Sequence, residues 1–177
     1  MTLWTVGHGA ASAEEFGTLL RTAGITALVD IRTAPGSRRH PHFARDALAQ
    51  WLPDVGVTYR WDKRLGGFRK PAPDSPDVVW RNDSFRGYAA HTRTEEFRDA
   101  LDDVLRESEV RQTTVMCSES VWWRCHRRLV ADASVLLHDV EVLHLMHDGR
   151  QVAHEPTEGA RVSEEWQLVY DAGQTML

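Results

Sequence analysis

The chain has 177 residues, of which 42% are hydrophobic and 27% charged, and its formal net charge at pH 7 is −5. This length suits one compact domain, so we expect residues 1–177 to form a single domain. No apolar run approaches the roughly 18 residues that cross a bilayer, and the N-terminus has no basic region before an apolar stretch. The sequence therefore predicts a soluble cytoplasmic protein without a membrane segment.

The first elements alternate between strand and helix. Residues 3–6 form a short apolar run, typical of a buried strand. A helix is predicted next, because Ser12 and Glu15 match a capping box and apolar residues recur on one helical face until Gly24. A second strand over residues 25–31 is apolar enough to be covered on both faces, as parallel strands are.

The middle of the chain is less regular. Residues 32–42 contain two prolines and a glycine and are predicted to form a loop, followed by a short helix over residues 45–52. A third strand is predicted at 58–61. Residues 62–93 hold many Gly and Pro and little periodicity, so we expect a long loop, which in compact domains is usually functional or disordered.

The second half returns to alternation. Thr94 is a predicted N-cap for a helix whose apolar face runs over residues 97–105. A strand is predicted at 113–116, a helix with its buried side over 129–137, and a strand at 141–147.

The Asp148-Gly149 pair predicts a β-hairpin after that last strand. Together the elements predict an α/β fold: a mostly parallel sheet with helices on both faces, a Rossmann-like three-layer sandwich with a C-terminal β-hairpin.

Polar side chains follow three of the predicted strands. His8 follows the first, Asp30 and Arg32 end the second, and Cys117 and Glu119 follow a third. In open α/β sheets, ligands bind outside the carboxyl ends of strands, so we expect these side chains at one edge.

The segment from Cys117 to Arg128 has the highest density of reactive side chains. It runs from a strand into a helix, so Cys125 and His126 are expected near a helix N-terminus, which lowers a thiol pKa and attracts anions. Cys117 and Glu119 are candidates for nucleophile and base, and Glu119 and His126 for proton carriers. The alternative is that both cysteines only fill the core.

Metal or haem binding is a further alternative, although nothing in the sequence requires a cofactor. Cys117, Cys125 and His126 are the candidate ligands, but no C-x-x-C pair or H-E-x-x-H motif is present. The later histidines are expected to be solvated surface residues; they are His138, His144, His147 and His154.

The basic residues concentrate in the middle of the chain. Residues 32–93 hold twelve basic and six acidic side chains, whereas residues 94–177 hold eight and seventeen. Basic loops at 32–45 and 60–70 predict an anionic ligand, and Gly66 and Gly67 let backbone approach it closely. Several aromatic side chains are candidates for stacking bases or for core packing: Trp61, Trp80, Phe85, Tyr88, Trp122 and Trp123.

Five ordered motifs over residues 3–165 resemble the DUF488 family, a domain of unknown function. The resemblance implies an α/β fold and a shared site, but no reaction. Gly9 departs from the small hydroxyl residue usual in the family, which would remove a hydroxyl from the site. The Trp122-Trp123 pair is more aromatic than usual, which would narrow the site or give this member its own ligand. The motifs are Thr5-Val6-Gly7-His8-Gly9, Asp30-Ile31-Arg32 with Pro35-Gly36-Ser37-Arg38-Arg39, Leu65-Gly66-Gly67, Phe85-Arg86-Gly87-Tyr88-Ala89, and Met116-Cys117-Ser118-Glu119 through Arg124-Cys125-His126-Arg127.

The sequence thus favours a Cys- or Glu-dependent hydrolase or transferase acting on a nucleotide, a nucleic-acid component or a phosphorylated metabolite. The alternatives are a non-catalytic nucleic-acid binding module and a metal or haem protein. The candidate catalytic residues are Cys117, Glu119, His8 and His126. The candidate binding residues are Asp30, Arg32, Arg38, Arg39, Gly66, Gly67, Tyr88, Arg124 and Arg127.

Overall fold

A six-stranded sheet forms the centre of the computed structural model, which describes residues 1–173. The strand order is β3-β2-β4-β1-β5-β6, and all neighbours are parallel except β5 and β6. Residues 174–177 of the expected domain lie outside the described residues. The strands are β1 (Thr2–Gly7), β2 (Ala27–Asp30), β3 (Thr58–Trp61), β4 (Thr113–Cys117), β5 (Glu141–Leu145) and β6 (Gln151–Ala153).

Five α-helices accompany the sheet, with short 3-10 turns and a second small sheet. The helices are α1 (Ala13–Thr22), α2 (Arg45–Trp51), α3 (Asp83–His91), α4 (Glu95–Val110) and α5 (Arg127–His138). The 3-10 turns are Pro41–Phe43, Leu52–Val55, Lys63–Leu65 and Trp122–Arg124. The second sheet pairs β7 (Arg161–Val162) with β8 (Leu168–Val169) in antiparallel orientation.

Helices cover both faces of the sheet. Successive residues on each strand point to opposite faces, so neighbouring residues of β4 pack against different helices. On one face Met116 of β4 packs in the same cluster as Phe16 of α1 and Leu48 of α2. On the other face Val115 packs with residues of α4 and α5, including Leu129. The predicted α/β class with a mostly parallel sheet, three layers and a C-terminal hairpin is confirmed.

Local signals fixed several helix starts correctly. Ser12 and Glu15 form both hydrogen bonds of the predicted capping box at α1. The side chain of Thr94 accepts the backbone N–H of Phe97 at the start of α4. The predicted hairpin is also present, since β5 and β6 pair with Leu143 opposite Ala153.

The largest difference from the sequence expectation is α3, which lies within the predicted long loop. Asn82 caps it by accepting the backbone N–H groups of Ser84 and Phe85. Gly87 in this helix packs against the backbone at Arg69, where an added Cβ would lie 2.3 Å from the carbonyl oxygen. The cap and the contact with the rest of the protein hold this helix in place. It therefore forms without the apolar periodicity by which a helix is recognised in a sequence.

The topology determines where a site can form. Strands β2, β4 and β1 are neighbours, so the loops that follow them emerge side by side at the carboxyl edge. Within residues 1–173, no helix combines the length and the apolar character needed to span a membrane.

Candidate functional site

A cavity of about 670 Å³ lies at the carboxyl ends of β1, β2 and β4. The cavity brings together candidate catalytic and binding residues from distant parts of the sequence. The lining includes His8, Arg32, Arg39, Gly67, Tyr88, Cys117, Glu119, Arg124, Cys125 and His126.

The loop after β4 crosses directly over the end of β1. The backbone N–H of His8 donates to the Cys117 carbonyl at 3.0 Å, and that of Gly9 donates to the Ser118 carbonyl at 2.9 Å. A Cβ at Gly7 would lie 1.8 Å from the carbonyl oxygen of Glu119, so only glycine fits there. These contacts fix the cysteine loop against the Gly-His-Gly segment.

Asp30 and Arg32 form a buried ion pair beneath the cavity. Arg32 donates from Nε to Oδ1 at 2.9 Å and from Nη2 to Oδ2 at 2.6 Å. Tyr59 donates a further hydrogen bond to Oδ2 at 2.7 Å. Because Asp30 is fully buried and accepts all three bonds, it orients Arg32 and is itself absent from the cavity lining.

His8 is held in one tautomer by its two neighbours. Its Nδ1 lies 2.8 Å from the Gly9 carbonyl and therefore donates, which leaves Nε2 to accept from Nη1 of Arg32 at 3.4 Å. The ring stacks on Phe43 with 4.3 Å between centroids. Burial lowers the pKa of His8 to about 4, so the imidazole is neutral at pH 7.

The two cysteines meet at the floor of the cavity. Their sulfur atoms are in contact, and their Cα atoms are 7.6 Å apart. The pair is placed as a disulfide, although relaxed disulfides usually have Cα atoms about 4.4–6.8 Å apart. A thiol or thiolate at either position belongs to the reduced pair. Cys117 faces the Glu119 carbonyl at 3.6 Å, a contact that favours the protonated thiol.

Cys125 has the surroundings of an activated thiol. Its sulfur accepts the backbone N–H of Arg127 at 3.5 Å, at the N-terminus of the twelve-residue helix α5. His126 Nδ1 lies 3.6 Å from the same sulfur. Free N–H groups and the helix dipole both favour a thiolate at this position.

His126 is oriented toward Cys125 by the end of β2. Its Nε2 lies 3.0 Å from the Ile31 carbonyl, so Nε2 carries the proton and Nδ1 presents a lone pair to the sulfur. Burial lowers the pKa of His126 to about 4. Gly67 packs on this ring, since an added Cβ would lie 3.1 Å from Nδ1.

The rim of the cavity is cationic. Arg39 and Arg124 are exposed and line it, and neither guanidinium has an ion-pair partner among residues 1–173. Arg38 is exposed but does not line the cavity. Glu119 is the exposed carboxylate of the lining, and its Oε1 accepts the backbone N–H of Val121 at 3.0 Å.

Other candidate binding residues have structural contacts. The Tyr88 ring lines the cavity, but its hydroxyl donates to the Leu65 carbonyl at 2.7 Å. Gly66 lies behind the lining, where an added Cβ would be 2.6 Å from Oγ1 of Thr33. Arg127 is 1% exposed and lies beneath the cysteine loop rather than in the lining.

The basic loop over residues 60–70 forms ion pairs within the protein. Arg60 pairs with Asp62 and with Glu107, whose Oε2 lies 3.0 Å from its Nε. Arg64 pairs with Asp62 and Asp103, each at 2.7 Å. The expected anion contacts of this loop therefore do not form around these two arginines.

Most candidate stacking residues are also engaged internally. Trp61 donates to the Arg32 carbonyl, Trp80 is buried against Phe85, and Trp122 stacks on His144 at 4.1 Å. The aromatic side chains that reach the lining are Phe68, Phe85 and Tyr88.

The prediction of four solvated histidines is wrong for His144 and His154, which are buried. His144 Nδ1 bonds to the Thr5 hydroxyl at 2.7 Å, and the two rings bond at 2.9 Å. His154 bonds to Asp132 at 2.8 Å. Asp132 lies on α5, far from both histidines in the sequence, so sequence spacing gave no signal for the pairing.

Metal binding has no preformed site in the part of the chain that the structure describes. Across residues 1–173, no group of three or more His, Cys, Asp or Glu side chains is arranged to hold an ion.

The family model described as "Domain of unknown function DUF488" matches residues 12–134, which is more than half of the chain. The chain belongs to the DUF488 family. The matched residues include Asp30, Arg32 and both cysteines, whereas His8 and the buried His154 lie outside them. A search of curated proteins and a search of solved structures each found no match.

Two departures from the DUF488 pattern have clear structural settings. Gly9 adopts φ +51°, and an added Cβ there would lie 3.1 Å from Cε1 of His147. Trp122 covers His144, and Trp123 is exposed. Neither tryptophan is in the cavity lining, so the lining shows no narrowing by this pair.

Proposed function

We propose that this DUF488 protein is an enzyme that uses Cys125 as a nucleophile on a small anionic substrate. The observation that carries the proposal is that the Cys125 sulfur accepts the backbone N–H of Arg127, at a helix N-terminus on the floor of a cationic cavity. Cys117 is the less suitable nucleophile because its sulfur faces a carbonyl oxygen, which stabilises the thiol proton.

The chemistry follows from these contacts. The Cys125 thiolate attacks an electrophilic carbon or phosphorus of the substrate, forming a bond to sulfur as the bond to the leaving group breaks. The proton released by the Cys125 thiol passes to water in the cavity, and the leaving group takes a proton from that water, with Glu119 as the proposed carrier. His126 keeps its proton on Nε2 toward the Ile31 carbonyl and contributes by lying against the sulfur. Water or a second acceptor then releases the group from sulfur, which gives hydrolysis or transfer.

Charge at the rim supports an anionic substrate. Arg39 and Arg124 reach the cavity without a carboxylate partner among the described residues, and guanidinium groups bind carboxylates and phosphates with two hydrogen bonds. Asp30 already neutralises Arg32, whose side chain is 7% exposed, so Arg32 shapes the floor.

The size of the cavity supports a small molecule. Its volume of about 670 Å³ lies within the range of roughly 300–1,000 Å³ that is usual for ligand pockets. A nucleotide, a nucleic-acid component or a phosphorylated metabolite has suitable charge. A cytoplasmic location accords with this chemistry, because reducing conditions keep both cysteines as thiols.

Alkylation with a charged and a neutral reagent tests the proposal without a known substrate. The reduced full-length protein is treated with iodoacetate or iodoacetamide, and the rate at each cysteine is measured by peptide mass spectrometry. We expect Cys125 to react faster than Cys117, and to prefer iodoacetate by more than ten-fold relative to free cysteine.

Variants assign the anion preference to the rim. Arg39→Gln and Arg124→Gln should each reduce the iodoacetate rate several-fold while leaving the iodoacetamide rate unchanged. Arg21→Gln on α1 removes the same charge outside the cavity lining and should change neither rate. Faster labelling of Cys117, or no preference for iodoacetate in the parent protein, would overturn the proposal.

A further inference from the structure

The side chain of Arg127 is buried beneath the cysteine loop. It is 1% exposed, and it is the largest of the fully buried side chains in the described chain. Its Nη2 donates to the carbonyls of Glu119 and Ser120, and its Nη1 donates to the Thr5 hydroxyl at 3.3 Å. Arg127 thereby fixes the loop that separates the two cysteines.

These partners are all neutral. Within residues 1–173 no carboxylate lies within ion-pair distance of Arg127, and its Nε is buried without a hydrogen-bond partner. Burial of an uncompensated guanidinium is expensive, and the cost falls when an anion is close. Burial accordingly lowers the pKa of Arg127, and only the exposed Glu119 carboxylate opposes this effect.

A directional chain of hydrogen bonds holds the other side of the guanidinium. Asp132 accepts from His154, so His154 Nδ1 accepts from His144, and His144 Nδ1 accepts from the Thr5 hydroxyl. The Thr5 oxygen is then free to accept from Arg127. Each ring nitrogen of the two imidazoles has one hydrogen-bond partner in this arrangement.

Asp132 cannot serve as the close counter-ion of Arg127. Three side chains separate the two groups, and the carboxylate also accepts hydrogen bonds from Thr157 and Tyr170. The chain therefore fixes the guanidinium in place without neutralising it locally.

On its other side, the guanidinium reaches the cysteine pair through the backbone of the cysteine loop. The Glu119 carbonyl that accepts from Arg127 is also 3.6 Å from the Cys117 sulfur, which contacts the Cys125 sulfur. The backbone N–H of Arg127 itself donates to Cys125.

We propose that Arg127 is the buried counter-ion of the thiolate carried by the Cys117–Cys125 pair, held in place by the Thr5–His144–His154–Asp132 chain. The inference rests on the proposed nucleophilic role of Cys125 and explains how its charge is stabilised. Arg127 is a positioning residue, since it acts through the cysteine loop and does not line the cavity.

His126 does not replace this charge. With a pKa of about 4, it is neutral at pH 7 and cannot hold the proton of an ordinary thiol, whose pKa is about 8.5. An opposite charge within roughly 4–6 Å lowers a pKa by about one to three units. The charged and titratable groups that line the cavity around the pair, or contact it, are His8, Arg32, Arg39, His40, Tyr88, Glu119, Arg124, His126 and Arg127.

The pH dependence of alkylation tests this inference, with iodoacetamide as the neutral probe. The rate at Cys125 is measured from pH 5 to pH 10 in the full-length reduced protein and in three variants. Arg127→Gln should move the midpoint up by at least one pH unit and slow alkylation at pH 7 by about ten-fold. Arg127→Lys, which keeps the charge, should restore most of the lost rate.

Arg128→Gln is the matched control, because this neighbour on α5 bonds to Thr157 and lies over Trp80 instead of beneath the cysteines. It should leave the midpoint unchanged. Circular dichroism identifies any variant that fails to fold. Thr5→Val is a smaller change that removes only the hydroxyl that accepts from Arg127, and it should also move the midpoint up.

Equal midpoints in the parent, Arg127→Gln and Thr5→Val proteins would overturn the counter-ion role. That result would leave the proposed function intact provided that the iodoacetate preference at Cys125 is still present. Loss of that preference in the parent protein overturns the proposed function instead.

Discussion

Gly7 shows how a single residue determines the site. Its missing side chain lets the Glu119 backbone cross the end of β1, which brings His8 next to the cysteine loop. Gly67 has a related role: because it has no side chain, the His126 ring can pack against its backbone. These positions need small size rather than an unusual backbone angle.

Gly7→Ala should destabilise the protein by at least about 2 kcal/mol, because the new Cβ would overlap a backbone carbonyl that cannot rotate away. Urea denaturation measures the free energy of unfolding, and alkylation of Cys125 reports the displaced loop. Gly36→Ala is the control, since nothing lies within 4 Å of its added Cβ. Equal stability of the two variants would contradict the close crossing.

Among the helices, α3 and α5 contribute most directly to the cavity. The first turn of α3 supplies Ser84 and Phe85 to the lining, and α5 begins beside Cys125 and His126. Their N-termini place backbone N–H groups near the region where an anion is expected. Asn82 satisfies two of these groups at α3.

Asn82→Ala should lower the free energy of unfolding by about 1 kcal/mol, because the N–H groups of Ser84 and Phe85 lose their acceptor. Thermal or urea unfolding measures the change. Asn82→Asp retains an acceptor oxygen and should keep most of the stability. If Asn82→Asp proves as destabilising as Asn82→Ala, the cap is not the source of the effect.

At the scale of the whole molecule, burial of histidines makes stability depend on pH. Burial lowers the pKa of His8 and His126 to about 4 and that of His144 to about 3. In the unfolded chain a histidine titrates near about 6.5. Between these values the unfolded chain binds protons that the folded protein does not, so stability falls as the pH falls.

The free energy of unfolding should therefore fall by several kcal/mol, up to about 5, between pH 7 and pH 5. Urea titrations across this range measure it. His144→Gln should reduce the slope by about a third, and His138→Gln, an exposed residue, should leave it unchanged. A flat profile between pH 7 and pH 5 would contradict neutral burial of these rings.

The fold was predictable because strand and helix signals are local, whereas much of the site depends on tertiary contacts. Strand ends located His8, Arg32 and Cys117 at one edge correctly. The local excess of basic residues was a poor guide to the role of Arg60 and Arg64, because the carboxylates that pair with them include residues of α4, distant in the sequence. The buried chain from His144 through His154 to Asp132 joins β5 to α5, and α3 depends on a cap and tertiary packing.

The central claim is that Cys125 is a nucleophile in an anion-binding cavity. The most direct test is the ratio of iodoacetate to iodoacetamide alkylation rates at Cys125 in the reduced, folded protein, relative to free cysteine. We expect this ratio to be more than ten-fold higher at Cys125 than in free cysteine, and to fall in Arg124→Gln. A ratio equal to that of free cysteine, or labelling confined to Cys117, would contradict it.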